Sequence, residues 1–155
     1  MPLLENYMTT IRQEDFVQSV ADAFQYISCY HPLDYIQALG AAYEREESPA
    51  ARDAIAQILT NSRMCAEGRR PICQDTGIAL VFLKVGMNLR WDAKLSVQEM
   101  VNEGVRRAYT NADNVLRASV LSDPAGARKN TKDNTPAVVH YEIVPGDHVE
   151  VICAA

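Results

Sequence analysis

The sequence predicts a mixed α/β (α+β) fold, with a helical N-terminal cap followed by strands, one long helix and a C-terminal β-hairpin. Three observations carry that expectation. Residues 10–68 hold three successive stretches with apolar side chains at helical spacing. Residues 78–85 form an unbroken apolar run, the pattern of a buried strand. The C-terminal residues alternate apolar and polar on either side of Pro145-Gly146-Asp147, which reads as strand, turn and strand. The helical cap is expected over 1–68 and the α/β portion over 69–155.

The first helix is expected over residues 10–30. Thr10 caps it, Gln13 completes a capping box, and Phe16, Val20, Ala23, Phe24 and Ile27 share a face. His31-Pro32 ends it, because proline restricts the residue before it. The second helix is expected over 33–46, with Tyr35, Ile36, Leu39, Ala42 and Tyr43 as its apolar positions. Ser48-Pro49 opens the third, an N-cap followed by proline at the first helical position. Ala51, Ile55, Ile58, Leu59, Ser62 and Cys65 line one side of it, and Gly68 closes it. Three helices in succession suggest a bundle-like cap.

Beyond the apolar run, Trp91 is expected to anchor an irregular turn. Ser96 and Glu99 then form a capping box that opens a helix over 97–118. Its buried stripe is Val97, Met100, Val101, Val105, Ala108, Tyr109 and Ala112, and Arg117 falls in its last turn. Residues 119–136 form a long polar loop, in which Arg128, Lys129 and Lys132 read as solvated charges. His140 and His148 lie in the terminal strands with no nucleophile beside them in sequence. They read as strand residues, not catalytic ones.

At 155 residues, 48% apolar and 23% charged, the chain has the size and composition of one globular domain. A net charge of −5 argues against non-specific nucleic-acid binding, which needs a basic face. Local arginines still leave room for a small anionic substrate. No stretch approaches the roughly 20 apolar residues of a membrane span. The N-terminus lacks a basic region and an apolar signal core, so a cytoplasmic location is expected. Cys29, Cys65, Cys73 and Cys153 are irregularly spaced and are expected to be reduced thiols rather than a disulfide framework. Ile152-Cys153-Ala154-Ala155 stops inside an apolar strand with no polar tail, the pattern expected of a truncated domain.

The densest chemistry lies in Arg69-Arg70-Pro71-Ile72-Cys73-Gln74-Asp75-Thr76-Gly77, between the helical half and the apolar run. A thiol, an amide, a carboxylate and a hydroxyl follow two guanidiniums in one connection, and loops held by rigid elements are where sites tend to lie. Spacing alone also allows a structural role, with the cysteine as buried filler and Asp75 and Thr76 bonding the turn backbone.

Pro71-Ile72-Cys73-Gln74-Asp75-Thr76-Gly77, followed by a hydrophobic strand and a glycine, resembles the first cluster-ligand loop of the class I iron–sulfur fumarate hydratases and the related tartrate dehydratases. Asn114-Val115-Leu116-Arg117, Asn130-Thr131-Lys132-Asp133-Asn134-Thr135-Pro136-Ala137 and Val149-Glu150-Val151-Ile152-Cys153 are similar too, in the same order. The resemblance runs from about Asn61 to the last residue. It implies reversible hydration of fumarate to L-malate on a 4Fe–4S cluster held by three cysteines, whose open iron acts as a Lewis acid. Cys73 would be one ligand, Gln74 would bond a substrate carboxylate, and Asp75 would be the acid/base and a substrate contact. Arg117 would pair with the dicarboxylate, since guanidinium binds carboxylate bidentately. Its structural alternative is to complement a helix dipole. Asn130, Thr131 and Asn134 would shape the pocket.

In the family the two other ligand cysteines lie beyond the position of Ala155, and Cys29, Cys65 and Cys153 do not align with them. The resemblance therefore implies a chain that is inactive and without its cluster when alone, belonging to a cytoplasmic homodimer of the tricarboxylic acid cycle when complete. Two alternatives stand beside that reading. One is L-tartrate dehydratase of the same family. The other is a non-catalytic module whose helices and exposed strand edge dock a partner.

Overall fold

The computed structural model describes residues 8–73 and 77–155. In chain order the elements are β1 (Thr9–Arg12), α1 (Gln13–Cys29), α2 (Leu33–Arg45), α3 (Pro49–Gly68), β2 (Leu80–Gly86), β3 (Leu89–Asp92), α4 (Val97–Tyr109), β4 (Val138–Val144) and β5 (Val149–Ala154). The fold is mixed α/β, with a helical N-terminal region, as the apolar periods predict.

Two short strands are additions to the expected set. Residues 9–12 are extended and pair in parallel with β3, Thr9 opposite Leu89 and Arg12 opposite Asp92. Thr10 therefore caps nothing, and Arg12 stands at the N-cap of α1 without a side-chain cap. The Gln13 side chain instead accepts from the backbone N–H groups of Lys94 and Leu95, at 3.0 and 3.1 Å. Trp91 lies in β3, not in an irregular turn, and packs edge-on against Phe16 with ring centroids 5.2 Å apart. Four-residue strands are too short for alternation to announce them.

The main sheet has the order β4-β2-β5. β2 and β4 run parallel, Leu80 opposite Val138, and β2 and β5 run antiparallel, Leu80 opposite Ala154. The two C-terminal strands lie where the sequence places them and run in opposite directions, but β2 sits between them and takes both ladders. Their connection wraps the end of β2. Gly86 N–H donates to the His148 carbonyl at 2.9 Å, Met87 N–H to Val144 at 2.9 Å and Asn88 N–H to Gly146 at 2.8 Å. A Cβ on Gly86 would lie 2.6 Å from the Gly146 carbonyl oxygen, so only glycine lets the connection pass this close.

One face of the sheet is covered by α1 and α4. Phe16, Val17, Val20 and Phe24 from α1 meet Met100, Val101 and Val105 from α4 over Val81, Leu83 and Val85 of β2. Full burial of side chains of this size is worth roughly 1.5–3 kcal/mol each. Gly104 lets the two helices close: a Cβ there would fall 2.7 Å from the Val20 side chain. The expected capping box opens α4, with Glu99 N–H donating to Ser96 Oγ and Ser96 N–H donating to Glu99 Oε2. The apolar run of β2 is covered on this face only. On the other face Phe82 stacks on His140 at 5.1 Å and Lys84 pairs with Glu150, all exposed.

α2 and α3 pack on each other beside this core, while α1 joins α4 and the sheet, so the three helices do not close into a bundle. No residue of α2 is buried, and α3 buries only Ser62 and Cys65. Ser48 and Pro49 open α3 as expected, but the left-handed residue that ends it is Arg69, at φ 48°, not Gly68.

Candidate functional site

The left-handed turn at Arg69 folds the chain back along the last turns of α3. Arg70 N–H donates to the Cys65 carbonyl at 3.1 Å. Cys65 Sγ donates to the Pro71 carbonyl at 3.4 Å, and Ile72 N–H donates to the Ser28 carbonyl of α1 at 2.8 Å. Cys73 N–H then donates to Asn61 Oδ1 of α3 at 3.1 Å. Backbone donors that leave a helix need new partners, and here α1 and α3 supply them. Ile72 is buried and Cys73 is exposed.

Cys73 opens onto a cavity of about 480 Å³ lined by His31, Tyr35, Ala54, Gln57, Ile58 and Asn61. His31 Nδ1 lies 3.0 Å from Ser62 Oγ, and its ring lies against that of Tyr35 with centroids 4.7 Å apart. A thiol, an imidazole, a phenol and two amides thus share one wall between α2, α3 and the loop. That is a surface able to hold a polar ligand beside a thiol. Sequence inspection placed His31 only at a helix end and assigned Asn61 no role. Asn61 lies twelve residues before Cys73 in a helix, and nothing local marks the pairing.

Gln74 and Asp75, the expected substrate contacts, lie outside the described residues. At the far end, the Gly77 carbonyl accepts from Ser119 Oγ and from Asn134 Nδ2, both at 3.1 Å. Asn134 is fully buried, in a left-handed conformation with φ 58°. Its Oδ1 accepts from Ser119 N–H at 2.8 Å and Val120 N–H at 3.2 Å. Burial pushes the Tyr109 hydroxyl pKa up, and a hydrogen bond with the Asn134 side chain pulls against that shift. Asn134 thus joins the exit of the loop to the segment that carries Arg117.

Arg117 is exposed on an irregular segment, not in a last helical turn. α4 ends at Tyr109 because other groups engage the end of the helix. Thr110 Oγ1 donates to the Arg106 carbonyl, Gln25 Nε2 donates to the carbonyls of Ala108 and Asn114, and Asn111 Oδ1 accepts Asp113 N–H in an Asx turn. The cations of the last turn are Arg106 and Arg107. Leu116 is buried beside Arg117, and Asn130 Nδ2 donates to the Ala118 carbonyl at 2.8 Å, so the segment is held on both sides of Arg117. The Thr131 hydroxyl is buried without a hydrogen-bond partner among the described residues.

The other three cysteines are unlike Cys73. Cys65 is buried, as its place on the α3 stripe implies, and Cys29 is buried beside Ser28. Burial pushes the half-buried Cys153 thiol up to about 11. Among the described residues no three His, Cys, Asp or Glu side chains gather where they can hold a metal ion. Among those residues Cys73 is the one exposed thiol. No described helix is long and apolar enough to cross a membrane.

Comparison with known proteins places the chain in a family. The family model described as fumarate hydratase (Fumerase) matches residues 17–155. A putative L(+)-tartrate dehydratase subunit alpha of Methanocaldococcus jannaschii is 35% identical over 74% of this chain and 39% of its own length. The anaerobic class I fumarate hydratase of Escherichia coli K12 is 29% identical over 80% of this chain and 22% of its own. An L(+)-tartrate dehydratase subunit alpha of Escherichia coli UTI89 is 29% identical over 85% of this chain and 43% of its own. The chain therefore spans less than half the length of these relatives. With the match covering nearly all of it, the chain belongs to the fumarate hydratase (Fumerase) family.

Proposed function

We propose that this chain forms part of the alpha subunit of a hydro-lyase acting on a hydroxy-dicarboxylate, with L-tartrate the preferred substrate over fumarate or malate. The observation that carries the preference is the 35% identity to a relative named as a putative L(+)-tartrate dehydratase subunit alpha, set against 29% to a class I fumarate hydratase. The cavity beside the exposed Cys73, with His31, Gln57 and Asn61 in its lining, and the hydrogen bonds that join Gly77 to the Arg117 segment, suit a small anionic substrate.

In this reading Cys73 donates one thiolate to a 4Fe–4S cluster whose remaining ligands come from outside the chain, and the chain alone is inactive. When bound, the cluster supplies an open metal position that polarises a carbon–oxygen bond. Gln74 bonds one substrate carboxylate and Arg117 clamps another bidentately. Asp75 takes the proton from the carbon adjacent to the departing hydroxyl. Loss of water from malate leaves fumarate, whereas loss of water from tartrate leaves an enol that rearranges to a keto acid. The complete enzyme is cytoplasmic.

The test is turnover of L-tartrate and of fumarate by the complete enzyme containing this chain, after anaerobic iron–sulfur loading. Higher kcat/KM for L-tartrate, read as keto acid, supports the proposal, and higher kcat/KM for fumarate returns the assignment to fumarate hydratase. No turnover of either would leave the docking module as the better reading, for which the exposed outer face of the sheet, with Phe82 and Ile152, is the available surface.

A further inference from the structure

We propose that Asn61 and Asn134 are positioning residues that fix Cys73 and Gly77 respectively, holding the Cys73 thiol and the Arg117 segment in one frame. At the leading end, Asn61 Oδ1 is the acceptor for Cys73 N–H at 3.1 Å. At the trailing end, Asn134 Nδ2 donates to the Gly77 carbonyl at 3.1 Å while its Oδ1 takes the N–H groups of Ser119 and Val120. Ser119 Oγ makes a second bond to the same Gly77 carbonyl. Cys73 is therefore tied to α3, and Gly77 to the 119–134 loop.

Two features distinguish this from ordinary loop packing. The first is how α3 uses its side chains. It contributes no residue to the main core cluster, yet Asn61, Ser62 and Cys65 engage Cys73, His31 and Pro71 in turn. One face of the helix is thus spent on the loop and the wall opposite it. The second is Asn134. A fully buried side chain at positive φ is a costly choice, tolerated by asparagine better than by most residues. Its buried amide is engaged at both Oδ1 and Nδ2, the condition under which a polar group inside a protein rigidifies its surroundings.

The effect on turnover rests on the hydro-lyase reading above; the clamp itself does not. Asn61 is only half-buried, so its substitution should leave the fold intact. Asn61→Ala removes the acceptor and Asn61→Asp keeps it. In the ¹⁵N-labelled chain, amide hydrogen exchange at Cys73 should accelerate on the order of tenfold in Asn61→Ala and stay near the parent rate in Asn61→Asp. Asn134→Asp keeps the acceptor for Ser119 and Val120, whose amides should remain protected, but loses the donor to Gly77. In the complete enzyme, Asn61→Ala and Asn134→Asp should lower kcat on L-tartrate with little change in KM, and Asn61→Asp should restore it. Unchanged Cys73 exchange in Asn61→Ala, or equal exchange in the two Asn61 variants, overturns the clamp. Accelerated exchange with parental kcat overturns the positioning role. If the parent enzyme turns over no hydroxy-dicarboxylate, the hydro-lyase reading falls, and the exchange results alone decide the clamp.

Discussion

α1 and α3 are both amphipathic and of similar length, 17 and 20 residues, yet they do different work. α1 buries Phe16, Val17, Val20, Ala21, Phe24, Ser28 and Cys29. α3 buries Ser62 and Cys65, and leaves Ile58 and Met64 exposed. The difference is the partner. α1 faces a sheet and α4, whose Gly104 admits Val20, while α3 faces α2 and the Cys73 loop. An apolar stripe reports that a helix has a face; it does not report how much lies against it. The first helix builds the core, and the third lines the cavity at Cys73.

The contrast is sharpest where the core is deepest. Phe24→Ala should cost about 3–5 kcal/mol, the usual price of emptying an aromatic site, measured by urea denaturation. A loss below about 1 kcal/mol would mean that α1 is not the core helix described above. Next is the α1–α4 contact. Gly104→Ala places a methyl 2.7 Å from Val20 and 2.8 Å from the Val17 carbonyl, so overpacking should cost about 1–3 kcal/mol. Pairing it with Val20→Ala should give somewhat less than the sum of the two losses, because the second change removes the Val20 Cγ1 contact while the contacts with Val20 Cβ and the Val17 carbonyl remain. Strict additivity would separate the two sites.

Acid should loosen the attachment of the long loop to α4. Burial pushes the Asp133 carboxyl up, but hydrogen bonds from Thr135 and the guanidinium of Arg106 outweigh it and hold it below its ordinary value. A folded value below the unfolded one means that the stabilisation is present above about pH 3.9 and is lost as pH falls through the folded value. Thermal melts across that range should show a steeper acid limb in the parent than in Asp133→Asn. The smallest effect belongs to α2. Leu33 is 71% exposed, and Leu33→Ser should change stability by no more than about 0.5 kcal/mol. A larger loss would show that the α2–α3 pair is stabilised by more than its own contacts.

What the sequence determined by itself lies mostly within a few residues of chain. Ser96 and Glu99 form their reciprocal cap because both partners sit in one turn. Ser48-Pro49 starts α3, the unbroken apolar run places β2, and apolar alternation places β4 and β5, for the same local reason. The loop at Cys73 was legible through its residue types and order, which carry the family. Only the tertiary structure decided that β2 runs between β4 and β5, and that α4 stops at Tyr109 once Gln25, 83 residues earlier, takes the Ala108 carbonyl. Only it could bring Asn61 to Cys73 across 12 residues and Asn134 to Gly77 across 57. Hydrogen bonds of that separation depend on where the chain returns. That path is set by which apolar faces find each other, and by no spacing along the sequence.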